Sequence, residues 1–293
     1  MGLPENLALV FVAGLITALA TGIGAFPFFF VDEFSDRWNV GLWGIASGIM
    51  LTVSVLGLVD EGLAYASSGF PTLMIGGLLA GVVLVEVSDR MLEGVDFAGG
   101  HDVDEDTVQA DGAGHDHDEV ALEAKAFAEG DLKKLVLILG ILTVHSFPEG
   151  VAVGVSFAEL GLNGGLSILG FSVPLLAVFM TVAISVHNIP EGTAIAIPMR
   201  AMGLSNWRMV GAAIFSSLPQ PIGAVIAFVF VSWAESFLPF GYGFAAGAMV
   251  YLVITEFIPE ALETGAELPS HGHRELLTGL AVGVVTMLPI LSV

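Results

Sequence analysis

Long runs of apolar residues, separated by short polar stretches, dominate the pattern along this chain. A run of about 20 apolar residues is long enough to cross the hydrocarbon core of a bilayer as an α-helix. Runs of this kind occur at 6–30, 40–64, 70–91, 133–159, 165–199, 207–235, 239–264 and 274–293. The pattern therefore predicts an all-α membrane protein with eight transmembrane helices, built as a single transmembrane domain over residues 1–293.

The basic residues all fall on one side of the predicted membrane. The second, fourth and sixth connections between the apolar runs contain no Lys or Arg. Since basic connections stay in the cytoplasm, this distribution predicts a multi-pass protein of the cell membrane with both termini outside. The bases lie in or beside the first, third, fifth and seventh connections: Arg37, Arg90, Lys125, Lys133, Lys134, Arg200, Arg208 and Arg274.

The composition excludes several classes of protein. Only 13% of the residues are charged, whereas a soluble domain carries about 25%. The chain has no cysteine, which excludes disulfides, thiolate metal sites and cysteine nucleophiles. It also has no Gly-rich loop ending in Gly-Lys, so ATP-driven pumping has no support. The net charge of −22 indicates an acidic solvated exterior, a surface that attracts cations, or both.

The third connection, residues 92–132, is the only long one, and we predict that it is a disordered cytoplasmic loop. It is rich in Gly, Asp and His, and such a segment buries too little apolar surface to fold alone. One interpretation is a solvated acidic linker. The other is a weak metal-binding or metal-sensing segment that uses His101, His115 and His117.

Two neighbouring apolar runs contain the same polar motif. The segments from His145 to Gly150 and from His187 to Gly192 both read His-x-x-Pro-Glu-Gly. A His and a Glu four positions apart lie on one face of a helix, one turn from each other. Imidazole and carboxylate groups are good ligands for zinc, iron and manganese. An ionisable group inside a membrane is expensive, so both motifs are predicted to be functional.

The proline of each motif strengthens this prediction. Proline lacks a backbone N–H, so Pro148 and Pro190 open a kink at the level of the histidine and glutamate of each motif. Adjacent helices run in opposite directions, so the two motifs can face each other near the middle of the membrane. The predicted site then holds one divalent cation between His145, Glu149, His187 and Glu191. A purely structural His–Glu pair would explain neither the repeated proline nor the repeated glycine.

Three further residues are candidate ligands. Gln220 is a polar side chain between two prolines in the sixth run, and Glu256 precedes Glu260 by one turn in the seventh. Met50 in the second run is a candidate soft ligand, although a methionine in an apolar helix more often belongs to the core or faces lipid.

These residues and the eight runs resemble the ZIP (Zrt/Irt-like) family of divalent metal transporters, most closely its prokaryotic zinc-uptake branch. The resemblance covers almost the whole chain. It implies an inverted repeat, in which helices 1–3 are mirrored by helices 6–8 around helices 4 and 5. It also implies a metal site formed by His145, Glu149, His187 and Glu191, and suggests a homodimer.

The same resemblance implies a second, adjacent metal position that uses Ser146 and Asn188 and shares the two glutamates. This chain departs from the family pattern at three places around that position. Ser146 replaces the usual Asn, Gln220 stands where relatives often have Glu, and Thr255 stands where they often have Asp. Each departure removes a charge or a strong ligand, so the resemblance supports the first site better than the second.

We therefore expect a secondary transporter that moves a divalent transition metal from outside into the cytoplasm, with no enzymatic activity and no cofactor besides the transported ion. Zinc is the leading candidate, and iron, manganese, cobalt and cadmium suit the same ligands. One alternative is an intramembrane metalloprotease, although the chain lacks the His-Glu-x-x-His run of such enzymes. Another is a metal sensor that binds without transport.

Overall fold

The computed structural model of the protein describes residues 2–31, 35–65, 71–93, 145–160, 165–168 and 170–291. Nearly all of the predicted loop at 92–132, with its three histidines, and the start of the predicted fourth helix lie outside these ranges. We label the described helical segments α1 to α8 in chain order. They are Leu3–Ile23, Asp36–Ala64, Thr72–Glu93, 145–156, Leu175–Ala201, Asn206–Trp233, Glu235–Thr264 and His273–Leu291.

The helices agree with the predicted class of protein. Five of them (α1, α2, α5, α6 and α7) are long and apolar enough to cross a membrane, and α3 contains a shorter apolar stretch, Thr72–Ser88. The prediction of an all-helical architecture is confirmed for the described residues, apart from one small hairpin. The count of eight membrane spans remains a prediction.

The fifth helix begins later than predicted, because the start of its apolar run forms a β-hairpin. Strands β1 (Leu166–Ile168) and β2 (Phe171–Val173) pair antiparallel, so the helix starts at Leu175 and not at 165. Gly170 has a φ of +84°, a conformation that glycine adopts at little cost and that turns the chain between the strands. Pro174 then holds an extended backbone (ψ 140°) directly before the helix.

Several helices are irregular at mid-length. The second half of α2 contains a π-helical segment, Val53–Val59, and α7 contains another, Val253–Phe257. Helix α6 is interrupted after Ser216 and resumes at Pro219. π-Helical turns inside α-helices are frequent at functional sites, so these irregularities mark the part of the molecule where a site is expected.

Glycines bring α2 against α8, and α3 against α7, with backbones in contact. A Cβ atom added to Gly48 would lie 2.3 Å from the carbonyl oxygen of Leu280, and one added to Gly81 would lie 2.1 Å from that of Phe244. Small residues four positions apart allow this close approach between membrane helices. The pairs are Gly44 and Gly48 in α2, Gly279 and Gly283 in α8, Gly77 and Gly81 in α3, and Gly243 and Gly247 in α7.

Two adjacent glycines of α3 provide a test of this packing. A Cβ atom on Gly77 would lie 2.1 Å from the carbonyl oxygen of Phe240, whereas one on Gly76 would meet no atom within 4 Å. We expect Gly77→Ala to destabilise the protein by about 1–3 kcal/mol, because α3 and α7 must move apart. Gly76→Ala should be neutral or slightly stabilising, because alanine favours the helix. Thermal unfolding in detergent measures both, and equal unfolding midpoints would contradict the proposed role of Gly77.

Candidate metal centre

Three ligand-type side chains meet between α4 and α5. Ligand atoms of Glu149, His187 and Glu191 all lie within 4.8 Å of one another. Nε2 of His187 is 3.1 Å from Oε1 of Glu149, and the two side chains are 0% and 5% exposed. Two carboxylates this close together in a buried, apolar setting repel each other unless a proton or a cation lies between them. The arrangement therefore fits a divalent cation.

Helix α5 and its neighbour α7 hold the imidazole in place. His187 and Glu191 are one turn apart on α5, with Pro190 between them inside the helix. The ring of Phe257 stacks on that of His187 at a centroid distance of 5.3 Å and an interplanar angle of 19°. Nδ1 of His187 is buried and has no hydrogen-bond partner within the part of the chain that the structure describes. This nitrogen therefore has an unused hydrogen-bonding or ligand position.

His145 has a different neighbour from the one that the sequence suggested. Its Nε2 lies 3.2 Å from Oε1 of Glu256 in α7, and the two side chains are 18% and 12% exposed. The structure thus pairs these two residues, and the three residues whose ligand atoms lie within 4.8 Å of one another do not include them. The role of His145 as a ligand remains a prediction. Glu256 belongs to the π-helical segment of α7, which explains how its side chain reaches α4.

A chain of neutral amides occupies the space next to Glu149. Nδ2 of Asn188 donates to Oε1 of Gln220 at 3.0 Å and to the carbonyl oxygen of Thr17 at 2.8 Å. Nε2 of Gln220 in turn donates to Oε2 of Glu149. Asn188 and Gln220 are fully buried. Glu149 therefore has one carboxylate oxygen towards the imidazole of His187 and the other held by an amide.

The other residues that the sequence analysis singled out are not among the three ligand-type side chains that lie within 4.8 Å of one another. Ser146 is buried and donates from Oγ to the carbonyl oxygen of Ser216 at 3.1 Å. Met50 is 1% exposed in the core, three residues before the π-helical segment of α2 begins. Thr255 is exposed and donates to the carbonyl oxygen of Tyr251 in its own helix. The roles of Ser146 and Met50 as ligands remain predictions.

The glycine of each motif allows a third helix to approach. A Cβ atom on Gly192 would lie 1.8 Å from the carbonyl oxygen of Thr21 in α1, and one on Gly150 would lie 2.2 Å from that of Gln220 in α6. Only glycine fits either position without moving the backbones apart. The repeated glycine of the two motifs therefore has a packing role, because it lies against the backbone of the next helix.

Two contributors to the centre were missed by the sequence analysis. Thr17 acts through its backbone carbonyl, which no side-chain pattern reveals. Phe257 acts through its ring, and its position directly after Glu256 was the only available signal.

Buried carboxylates and an imidazole inside apolar helices are the features expected of a membrane protein that handles a metal cation. The chain belongs to the ZIP zinc transporter family, whose sequence profile matches residues 7–291. This match confirms the resemblance that the paired motifs suggested. It also places the protein among transporters, and not among enzymes.

Individual relatives agree with this assignment. A candidate zinc transporter of Arabidopsis thaliana is 38% identical over 250 residues, which are 85% of this chain and 34% of the plant protein. The zinc transporter GufA of Myxococcus xanthus is 29% identical over 94% of this chain and 95% of its own length. The zinc transporter ZupT of Corynebacterium aurimucosum is 28% identical over 96% of both chains. This chain thus spans about a third of the plant relative and nearly all of the bacterial ones.

Proposed function

We propose that this protein is a secondary transporter of the cell membrane that moves a divalent transition metal, first of all zinc, from outside into the cytoplasm. The observation that carries the proposal is the buried group formed by Glu149, His187 and Glu191. The names of the bacterial relatives, which this chain matches over nearly their full length, favour zinc. An inside-negative potential of about 100 mV favours the entry of a divalent cation by about 4.6 kcal/mol.

His145 completes the proposed ligand set. It lies one turn from Glu149 on the same face of α4, so its imidazole can reach the ion by leaving Glu256. Two imidazoles and two carboxylates then form a four-ligand site of the kind that zinc adopts. The two carboxylates carry the charge that one divalent ion neutralises.

We further propose that the site holds one ion and not two. The adjacent position, which Ser146, Asn188 and Gln220 surround, offers only neutral groups. All three already donate hydrogen bonds to protein oxygen atoms, including a carboxylate oxygen of Glu149. Oδ1 of Asn188 is buried without a hydrogen-bond partner among the described residues. A second cation there would gain this neutral oxygen but no negative charge from these three residues.

The contacts around the two motifs support the predicted inverted repeat. Asn188 in α5 donates to the carbonyl oxygen of Thr17 in α1, and Ser146 in α4 donates to that of Ser216 in α6. Asn188 and Ser146 occupy the same place in their motifs. Thr17 and Ser216 are 199 positions apart in the chain. The contact between α1 and α5 thus has a counterpart between α6 and α4.

The same spacing of 199 residues recurs in other contacts. It separates Thr21 from Gln220, whose carbonyl oxygens face the glycines of the two motifs. It also separates the glycine pair of α2, which packs on α8, from the glycine pair of α7, which packs on α3. A twofold axis that relates the first three helices to the last three would produce all of these matches. They therefore support eight spans with both termini on one side; that this side is outside, and that the protein is a homodimer, rest on the sequence.

Uptake into sealed vesicles tests the proposed function. The native protein is reconstituted into liposomes with an internal zinc-sensitive dye, beside Glu191→Ala and a control, Glu235→Ala, in an exposed residue at the start of α7. We expect uptake by the native protein and by the control, and loss of uptake by Glu191→Ala. Stoichiometric zinc binding without uptake by the native protein would instead indicate a sensor. Normal uptake by Glu191→Ala would remove that residue from the site.

A further inference from the structure

A groove between the first turns of α2 and α8 combines basic, aromatic and apolar surfaces. Its cavity volume is about 590 Å³, which lies within the range of small-ligand sites. Arg37, Trp38, Arg274 and Glu275 line one end, and Leu42, Ile45 and Val282 line the walls further along the two helices. Neither Glu149 nor His187 lines the groove, and none of its lining residues belongs to the proposed metal site.

The charged end of the groove has free capacity for an anion. Arg37 is 62% exposed, and its Nε is 3.8 Å from Oε1 of Glu275, too far for a hydrogen bond. Arg274 is exposed and forms no ion pair with any residue that the structure describes. Both α2 and α8 begin here, and the free N–H groups of helix N-termini also favour anions. These two guanidinium groups stand out in a chain whose net charge is −22.

The same end also has an acceptor that lacks a donor. Oε2 of Glu275 is buried and has no hydrogen-bond partner among the residues of the described ranges. A ligand that satisfies both features must carry a negative charge for the two arginines and a hydrogen-bond donor for this carboxylate. A phosphodiester with a hydroxyl-bearing substituent has both.

The rest of the groove fits the body of a lipid. Trp38 is 70% exposed beside the arginines, the position that tryptophan prefers at a membrane–water interface. Val282 is 47% exposed on the wall, two turns further along α8. Gly41 opens the space between the walls, because a Cβ atom there would meet no atom within 4 Å. An acyl chain can follow this apolar path away from the charged end.

We propose that the groove binds one anionic phospholipid whose headgroup carries hydrogen-bond donors, of which phosphatidylglycerol is the simplest. The phosphate contacts Arg37 and Arg274, a headgroup hydroxyl donates to Glu275, and an acyl chain lies along Leu42, Ile45 and Val282. Basic pockets between membrane helices bind anionic headgroups in this way. The proposal requires that α2 and α8 lie in a bilayer, as in the proposed function, but it does not depend on the metal site.

Native mass spectrometry of the full-length protein in detergent tests this site. Phosphatidylglycerol and phosphatidylcholine are added separately, and bound lipid is counted for the native protein, the double variant Arg37→Gln/Arg274→Gln and the control Arg208→Gln. Arg208 is an exposed base outside the groove. We expect phosphatidylglycerol binding to weaken at least about tenfold in the double variant and to stay unchanged in the control. Equal binding of both lipids by the native protein would overturn the proposal.

A second pair of variants blocks the groove without removing charge. Phenylalanine at Gly41 would fill the space between the walls, and phenylalanine at Gly76 is the matched control at another open position. We expect Gly41→Phe to lose phosphatidylglycerol and to retain zinc uptake, and Gly76→Phe to retain both. If Gly41→Phe instead turns a dimer into a monomer with lipid binding unchanged, the groove binds a second copy of the chain and the proposal is wrong.

Phosphatidylmethanol tests the role of Glu275, because it carries the same charge but no headgroup donor. The native protein should prefer phosphatidylglycerol, and Glu275→Leu should abolish that preference. Equal affinity of the native protein for the two lipids would contradict the contact with Glu275. Because lipid is counted without metal, these results are independent of whether zinc is transported.

Discussion

Replacing Glu149 by Gln is expected to abolish metal uptake, with a decrease of at least about 100-fold, because losing a group that merely supports a ligand already costs 10–100-fold in metal affinity. Glutamine has nearly the same size and can still accept a hydrogen bond from Gln220. The variant therefore removes one of the two carboxylates of the site while leaving the packing of α4 intact. Uptake into dye-loaded proteoliposomes and zinc binding by equilibrium dialysis measure the two expected losses.

The control for this prediction is Glu159→Gln. Glu159 follows α4 at its far end, is exposed and bonds to Tyr65 rather than to the metal site. The same chemical change there should leave uptake near the native rate. If both variants elute as folded protein and Glu149→Gln still transports zinc, the ion does not use this carboxylate, and the proposed site is wrong.

The sequence could predict those parts of the site where a side chain has few explanations other than function. A carboxylate and an imidazole inside an apolar helix are costly, and the helical period places Glu149 with His145, and Glu191 with His187. In the structure, ligand atoms of Glu149, His187 and Glu191 lie within 4.8 Å of one another. Their role as metal ligands is the part that uptake and binding experiments must test.

The parts that the sequence could not predict depend on backbone atoms or on small differences between alternatives. The carbonyl oxygens of Thr17 and Ser216 receive equivalent hydrogen bonds, but any residue supplies a carbonyl, so this pair does not reveal the 199-residue spacing in the sequence. Among the matched contacts described above, only the glycine pairs of α2 and α7 carry that spacing in identical residues. The acid beside His145 is Glu256, which belongs to a π-helical segment. The spacing of apolar residues does not predict such a segment. The hairpin before Leu175 is as apolar as the helix that follows it, so the hydrophobic pattern did not separate the two.

The departures from the family pattern acquire a physical meaning in the structure. Gln220 and Asn188 bond to each other, to Thr17 and to Glu149, and Oδ1 of Asn188 has no hydrogen-bond partner among the described residues. This amide chain links α1, α4, α5 and α6 at the level of the site. It restrains Glu149 while adding no charge, which favours a site for one ion.

Replacing Gln220 by Glu should therefore raise the number of bound divalent ions from one to two. The new carboxylate would face Oε2 of Glu149, and two carboxylates at hydrogen-bond distance cannot both remain ionised without a proton or a cation between them. Asn188 already contacts residue 220, and its Oδ1, which has no hydrogen-bond partner among the described residues, could provide an oxygen ligand. We also expect slower uptake, because an ion held by an additional carboxylate leaves less readily.

The measurement is the zinc content at saturation after equilibrium dialysis. It is made in a background where His101, His115 and His117 are alanine, so that the acidic loop adds no imidazole ligand. Gln220→Leu is the matched control, because it also breaks the amide chain but adds no charge, and it should keep one ion. Two ions bound to the native protein would show that the amides of Asn188 and Gln220 do not prevent a second cation from binding, and would contradict the proposed single-ion site. One ion in Gln220→Glu would show that geometry, rather than missing charge, limits the site.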